Sequence, residues 1–190
     1  MSEDPAIHLD PTPDSTPPLA AIHEESDVPT RRRLDIIFGV AAFVVIVDQC
    51  TKWWALDSLA TDPVALIWTL RLNLVYNTGA SFSMARGFGP FIGLLAFIVV
   101  GFLIWHGRAV TSRLAAFGLG MVLGGAIGNL LDRLLRGDSG FLQGGVVDFI
   151  DFQWWPVFNL ADAAVVVGAI LVGVVYAFGS LSATGGSTNG

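Results

Sequence analysis

The sequence predicts an all-α membrane protein with four transmembrane helices and a small sheet at one membrane face. Hydrophobic residues make up 53% of the 190 residues and charged residues only 14%, whereas soluble domains carry about 25% charged residues. Four apolar segments cover approximately residues 34–56, 88–105, 114–135 and 157–178. Each is roughly 18–23 residues long, which is enough for a helix to cross a hydrocarbon core of about 30 Å.

The acidity of the chain is concentrated at its N-terminus. Seven of the 16 acidic residues lie within residues 1–30, which contain no Lys or Arg and are rich in Pro and Ser. This composition is typical of disordered chain. We therefore predict a disordered acidic tail over residues 1–33, a membrane domain over 34–179 and a flexible Gly/Ser/Thr-rich tail over 180–190. The rest of the chain is nearly neutral, and we expect no nucleic-acid partner.

Two connections between the apolar segments have β character. Residues 67–76 alternate between apolar and polar side chains, with Leu70, Leu72 and Leu74 on one side and Arg71 and Asn73 on the other. This period of two indicates a half-buried strand. Residues 144–152 are also rich in β-prone residues. A small sheet is therefore expected at one membrane face.

The distribution of Lys and Arg gives a prediction of orientation. Four helices place both termini on the same side of the membrane, and the two sides carry five basic residues each. The Arg31–Arg33 cluster directly precedes the first helix, and the first helix usually dominates orientation. We therefore predict cytoplasmic termini in the plasma or inner membrane.

With that orientation, the polar residues of the spans and connections converge on the outer leaflet. Ionisable groups inside spans are costly, so they indicate function by default. The opposite halves of the helices are almost purely apolar. The converging residues are Asp48, Gln49, Thr51, Lys52, Asn77, Asn129, Asp132, Arg133, Asp148, Asn159 and Asp162.

Some of these residues have structural interpretations as well. Asp48 and Lys52 are four residues apart and share a helix face, so they could equally form an interfacial ion pair whose lysine extends into the headgroup region. Arg133 could be the counter-ion of Asp132.

Other residues of the spans carry no catalytic interpretation. The pairs Trp53–Trp54 and Trp154–Trp155 are typical of the membrane interface. Cys50, the single cysteine, lies in an apolar stretch and is expected to be buried and unreactive.

The available side chains favour carboxylate chemistry. No His or second buried Lys is placed to activate a serine, and the three scattered His residues match no zinc motif. Two neighbouring carboxyl groups can share a proton, so that one activates water and the other protonates a carbonyl. Asp148 and Asp162 suit this role, and Asp132 and Asp151 are rival candidates. We expect no metal and no cofactor.

Five motifs in order resemble the lipoprotein signal peptidase family, also called signal peptidase II. They are Asp48–Lys52, Asn77–Phe82, Gly124–Arg133, Val146–Phe149 and Phe158–Asp162. The resemblance implies four transmembrane helices with an extracytoplasmic β-cradle. It also implies cleavage of a diacylglyceryl-modified prolipoprotein just before the lipidated cysteine.

The resemblance further implies roles for individual residues. The family's catalytic aspartates fall on Asp148 and Asp162. Positions that line the site fall on Asn77, Asn129, Arg133 and Asn159, with Arg133 expected to hold a substrate carbonyl. We expect Asp48, Lys52 and Asp132 to support the site. The 13 residues between Asp148 and Asp162 form a shorter interval than the family leads us to expect, so we expect a trimmed outer loop there.

Two other functions compete with this prediction. A small proton-coupled transporter could carry protons on Asp48 and Asp162, although no inverted repeat or paired broken helices are evident. A non-catalytic scaffold could use polar residues for helix association, but this leaves the one-sided clustering unexplained. For the peptidase, we expect a monomer whose partners are lipidated precursors and membrane lipids.

Overall fold

The computed structural model describes residues 28–78, 89–136 and 141–184. The acidic tail up to residue 27, the motif residues 79–82 and residues 185–190 lie outside this part of the chain. The described elements are helices α1 (Val28–Ser58), α2 (Gly89–Gly107), α3 (Arg113–Leu135) and α4 (Leu160–Thr184) and strands β1 (Val64–Ile67), β2 (Leu70–Asn77) and β3 (Val146–Asp151).

The prediction of four membrane-spanning helices is confirmed. Helical segments Arg33–Ser58, Pro90–Gly107, Arg113–Leu135 and Leu160–Phe178 are long and apolar enough to cross a bilayer. The predicted ends differ in detail: α1 already begins at Val28 and α4 continues to Thr184, so both ends extend into segments predicted to be tails. In contrast, α4 begins three residues later than predicted, because Phe158 pairs with Ile150 as a β-bridge.

Helix α3 lies at the centre of the bundle. Within its apolar stretch 56% of the residues are buried, compared with 11–17% in the other three spans. Gly120 and Gly124 lie against Ile37, Val40 and Ala41 of α1, with a Cβ on Gly124 placed only 2.7 Å from the Ala41 carbonyl oxygen. Small residues four apart let helix backbones approach closely in membranes.

The opposite face of α3 makes a similar contact with α4. A Cβ at Gly118 would lie 2.9 Å from the carbonyl oxygen of Gly168, and one at Gly125 would overlap the carbonyl oxygen of Ala161. The backbones of helices α1 and α4 therefore both lie in close contact with the backbone of α3. This holds the polar ends of the three helices together.

The predicted sheet is present as three antiparallel strands in the order β1-β2-β3. Ala55 and Leu59, at and just beyond the end of α1, form a buried cluster with Phe149 of β3, and Leu72 and Leu74 of β2 pack against it. The alternating leucines therefore attach the sheet to the end of α1, as their period of two predicts.

The prediction of one continuous strand over residues 67–76 is wrong in detail. The chain reverses at Trp68 and Thr69, so Ile67 ends β1 and Leu70 begins β2. Trp68 has a φ of 51° and is 93% exposed. The turn therefore removes Trp68 from the alternation that the sequence pattern suggested.

Cys50 is exposed on α1, so the prediction of a buried cysteine is wrong. The reason is general to membrane helices, because their apolar side chains can face lipid as readily as protein. Apolar neighbours in the sequence therefore do not imply burial within the protein.

The close contact between α1 and α3 leads to a prediction about stability. Gly124→Ala should lower the melting temperature in detergent, because its methyl group meets a backbone oxygen that no rotamer change can move. We expect a loss of roughly 1–3 kcal/mol, as for other overpacked sites. Gly173→Ala in α4 is the matched control, since a Cβ there meets nothing within 4 Å. Equal melting temperatures for both variants would contradict the packing argument.

Candidate active site

Asp148 lies in the middle of β3, with its side chain almost fully buried. Two amide groups donate hydrogen bonds to its carboxylate. Asn77 Nδ2 binds Oδ2 at 3.0 Å, and Asn159 Nδ2 binds Oδ1 at 2.7 Å. Asn77 ends the neighbouring strand β2, so the register of the sheet brings it to Asp148.

Asp162 lies in the first turn of α4 and takes part in a reciprocal cap. The Asn159 side chain accepts the Asp162 backbone N–H at 3.0 Å, and Asp162 Oδ2 accepts the Asn159 backbone N–H at 3.2 Å. This is the arrangement of a capping box, which satisfies two amides at a helix start. The helix start therefore fixes the orientation of the Asp162 carboxylate.

Two asparagines connect the carboxylates to each other. Asn129 of α3 donates from Nδ2 to Asp162 Oδ1 at 2.8 Å. Its Oδ1 accepts a hydrogen bond from Asn159 Nδ2 at 3.0 Å, and Asn159 Nδ2 also reaches Asp148. Asp148 and Asp162 thus share one hydrogen-bond network although they lie on different elements.

A cluster of charged and amide side chains lies behind this network. We call it the ionic hub, and it consists of Asp48, Gln49, Lys52, Asp132 and Arg136. Lys52 Nζ contacts Asp48 Oδ2 at 2.8 Å and Asp132 Oδ2 at 2.9 Å, and none of the three side chains is exposed. Arg136 Nε forms a further ion pair with Asp132 Oδ1 at 2.8 Å. Two cations therefore balance two anions.

The hub also holds the backbone beside each of the two aspartates. Asp48 Oδ1 accepts the backbone N–H of Ala161, which precedes Asp162, at 3.1 Å. Asp132 Oδ2 accepts the backbone N–H of Val147, which precedes Asp148, at 3.1 Å. A Cβ on Gly128 would lie 2.5 Å from Asp48 Oδ2, so glycine is needed there for Asp48 to reach α4.

These contacts correct the structural alternatives for Lys52 and Arg133. Lys52 does not extend into the headgroup region, because it is fully buried between α1 and α3. Asp132 forms its ion pairs with Lys52 and Arg136 within the described part of the chain, rather than with Arg133.

Arg133 occupies a different position from the hub cations. It is 9% exposed, and its guanidinium donates to the Asn129 carbonyl oxygen at 3.4 Å. The charges that act on it most strongly are those of Asp148 and Asp162. Its remaining donors are therefore not engaged by the ionic hub.

The rival carboxylates differ from Asp148 and Asp162 in their partners. Both oxygens of Asp132 contact a cation. Asp151, the other rival candidate, is buried at the end of β3. Its Oδ2 forms an ion pair with Arg71 at 2.7 Å, and its Oδ1 accepts the Gln153 backbone N–H at 2.7 Å.

The pKa values of the two β3 aspartates are displaced in opposite directions. Burial raises the pKa of Asp148 to about 6, with a further increase from the nearby Asp162 charge, against hydrogen bonds from Asn77 and Asn159 that lower it. Burial also acts to raise the pKa of Asp151, but the Arg71 pair and N–H donors outweigh it and hold that pKa below its usual value. Asp148 is therefore the β3 acid suited to proton transfer near neutral pH.

Asp148 opens onto a cavity of about 250 Å³. The walls come from the end of β2 and from the loop that precedes α4. The lining residues are Val75, Tyr76, Asn77, Thr78, Asp148, Pro156 and Val157.

A family model described as signal peptidase (SPase) II matches residues 40–178. The chain belongs to this family.

Individual signal peptidase II relatives agree with the match. The chain is 47% identical to the lipoprotein signal peptidase of Mycolicibacterium smegmatis, over 82% of this chain and 66% of that protein. It is 43% identical to that of Mycobacterium tuberculosis, over 94% of this chain and 89% of that protein. A solved structure of a bacterial membrane enzyme covers 74% of this chain and 91% of its own, with a TM-score of 0.64 and 28% identity.

In this member of the signal peptidase II family, the short interval between Asp148 and Asp162 is a tight loop. After β3 the chain turns back, and Phe158 exchanges backbone hydrogen bonds with Ile150. The rings of Phe152 and Phe158 stack with their centroids 5.9 Å apart. The loop thus returns the chain to the start of α4 within a few residues, and this brings Asp162 towards Asp148.

Of the hub residues, Arg136 was missed by the sequence analysis, and Gln49 was named among the converging polar residues without a role. Gln49 Nε2 lies 3.2 Å from Asp132 Oδ1 and from the Gly128 carbonyl oxygen. Arg136 also lies over the Trp53 ring, 5.9 Å from its centroid. The spacing of Arg136 four residues after Asp132 was the available signal.

The raised pKa of Asp148 predicts how stability depends on pH. The protonated form is favoured in the fold, so the stability from this group is greatest below its ordinary value of 3.8 and falls as pH rises to about 6. A shift of this size corresponds to about 3 kcal/mol. Asp148→Asn should remove this dependence. The melting temperature of the variant minus that of the parent should therefore increase from pH 4 to pH 7. If the melting temperatures of the two proteins changed with pH in parallel, the raised pKa of Asp148 would be contradicted.

Proposed function

We propose that this chain is an aspartic endopeptidase that removes signal peptides from diacylglyceryl-modified prolipoproteins, cleaving just before the lipidated cysteine. The observation that carries the proposal is the pairing of Asp148 and Asp162 in one hydrogen-bond network, in a chain that belongs to the signal peptidase II family. Neither carboxylate contacts a cation within 4 Å among the described residues, so both are open to share a proton.

The proposed mechanism is that of a carboxylate pair. One aspartate, ionised, takes a proton from a water molecule, and the other, protonated, donates a proton to the carbonyl oxygen of the scissile bond. The pair titrates as a unit. The raised pKa of Asp148 favours it as the group that is protonated at the start of the reaction. No covalent intermediate or metal is required.

Other side chains are proposed to bind the substrate. Arg133 has donors free of the ionic hub and lies in the field of both carboxylates, so it is suited to hold a backbone carbonyl of the precursor. Asn77, Asn129 and Asn159 orient the pair through the hydrogen bonds described above. Lipid attached to the precursor keeps the scissile bond at the membrane interface and contributes binding energy away from the reacting atoms.

We propose that the chain acts as a monomer. Its partners would be lipidated precursors and membrane lipids, with no nucleic acid. Proton transport through Asp48 is not favoured, since Asp48 is held by Lys52 and the Ala161 amide. A scaffold role leaves the pairing of Asp148 and Asp162 without a purpose.

The function is tested by cleavage of a diacylglyceryl-modified precursor by the purified enzyme, with the unlipidated precursor as control. We expect cleavage before the modified cysteine, and little cleavage of the control. Asp148→Asn and Asp162→Asn should each lower single-turnover cleavage by at least 10²–10⁴-fold, the usual range for losing one acid–base group.

Asp151→Asn is the matched control for these two variants, because Asp151 is a buried carboxylate on the same strand as Asp148. Among the described residues its side chain makes hydrogen bonds with Arg71, Asn73 and Gln153, and none with Asp148 or Asp162. This control should retain cleavage, with thermal stability measured for all variants. A well-folded Asp162→Asn enzyme that cleaves at the parental rate would refute the assignment of the pair.

We also propose cytoplasmic termini and an active site near the extracytoplasmic face, supported by the Arg31–Arg33 cluster before the first span. Because Cys50 is exposed, it is first replaced by Ser. Cysteines introduced at positions 20 and 84 are then labelled with a membrane-impermeant reagent in intact cells. We expect labelling at 84 only, and labelling at 20 only would reverse the orientation.

A further inference from the structure

Lys52 is the point at which the ionic hub meets the active-site network. Its side chain is completely buried. Its ammonium group has three partners: Asp48 Oδ2 at 2.8 Å, Asp132 Oδ2 at 2.9 Å and Asn129 Oδ1 at 3.0 Å. A lysine has three N–H donors and no acceptor, so these contacts use its full capacity.

Two of these partners extend the influence of Lys52 to the backbone of the active site. Asp48 binds the amide of Ala161, one residue before Asp162, and Asp132 binds the amide of Val147, one residue before Asp148. The two hub acids would repel each other without the cation between them. Lys52 therefore fixes the distance between the two backbone segments that carry the pair.

The third partner determines which way an amide points. Because Lys52 can only donate, the Asn129 atom that faces it must be the oxygen. The Asn129 nitrogen then faces Asp162 Oδ1 and donates to it at 2.8 Å. The same oxygen accepts from Asn159 Nδ2, which also donates to Asp148 Oδ1. One cation thereby orders the donors on both carboxylates.

We propose that Lys52 is a positioning residue for the reaction, which holds the two aspartates at a working distance and turns the asparagine amides so that each donates to a carboxylate. This rests on the proposed function of Asp148 and Asp162. Lys52 itself touches neither carboxylate in the described contacts and acts through Asn129, Asp48 and Asp132.

Several charged groups face the pair and contribute to its titration. Lys52 of α1 and Arg133 of α3 lie in the field of the pair, and Asp48 and Asp132 bind the backbone amides that precede it. Each aspartate also faces the other. Without Lys52, a positive charge is lost and Asn129 can rotate, which turns its oxygen towards Asp162. Both changes disfavour the ionised carboxylate, so both limbs of the pH–rate profile should move to higher pH.

The decisive variant is Lys52→Met, which has a similar length and no donor. We expect both limbs of the kcat profile to move up by roughly one pH unit and kcat at the parental optimum to fall at least about tenfold. KM for the lipidated precursor should change by less than about twofold, since substrate contacts are not removed.

A second variant keeps the inference testable if Lys52→Met fails to fold. Lys52→Met combined with Asp48→Asn removes one cation and one anion together, so the hub keeps its balance of charge, while an amide oxygen can still accept the Ala161 N–H. This double variant should move both limbs in the same direction as Lys52→Met but by less, because only the rotation of Asn129 then acts on the pair. Arg136→Met is the matched control, because Arg136 pairs with the same Asp132 but has no contact with Asn129. It should lower the melting temperature and leave both limbs in place.

The outcomes separate this inference from the proposed function. Retained cleavage by Asp148→Asn or Asp162→Asn refutes the catalytic pair itself. If those variants are inactive but Lys52→Met and the double variant keep the parental limbs, Lys52 is only structural and the inference is overturned. The same holds if Arg136→Met moves the limbs as far as Lys52→Met, since any hub cation would then serve.

Discussion

The site depends on one buried cation. A lysine with no exposed surface is stable only when every donor has a partner, because an unpaired charge in such a place costs several kcal/mol. Lys52 meets this condition with an acid from its own helix, an acid from α3 and the oxygen of Asn129. The requirement fixes α1 against α3, and through the two acids it fixes the start of α4 and the middle of β3.

The glycines of α3 make this arrangement geometrically possible. Asp48 reaches the start of α4 only because position 128 carries no side chain, and α4 approaches α3 closely at Gly118 and Gly125. Electrostatics and packing are therefore coupled, since the short side chain of Asp48 could not span a wider gap. The positions of Asp148 and Asp162 therefore depend on the close packing of α3 against its neighbouring helices as well as on their own hydrogen bonds.

Much of this arrangement could be predicted from the sequence. The four spans were evident from apolar length, and the sheet from the alternation around Leu72. The clustering of polar residues at one end indicated a site, although not which of four aspartates would pair. That distinction depends on long-range contacts: Asp132 faces Lys52, 80 residues away in sequence, and Asp151 faces Arg71 across a strand pair. Cys50 and Trp68 were mispredicted because hydropathy does not separate lipid-facing or turn positions from the protein interior.

The spacing of the hub charges along each helix also matters before the fold exists. Asp48 and Lys52 are four residues apart on α1, and Asp132 lies four residues before Arg136, which caps the end of α3. Each helix thus carries an acid and its own counter-ion on one face, which reduces the cost of bringing these groups into a bilayer. The hub charges Asp48, Lys52, Asp132 and Arg136 can therefore enter the membrane already paired within their own helical segment. Lys52 then gains its second acid, Asp132, when α1 and α3 meet.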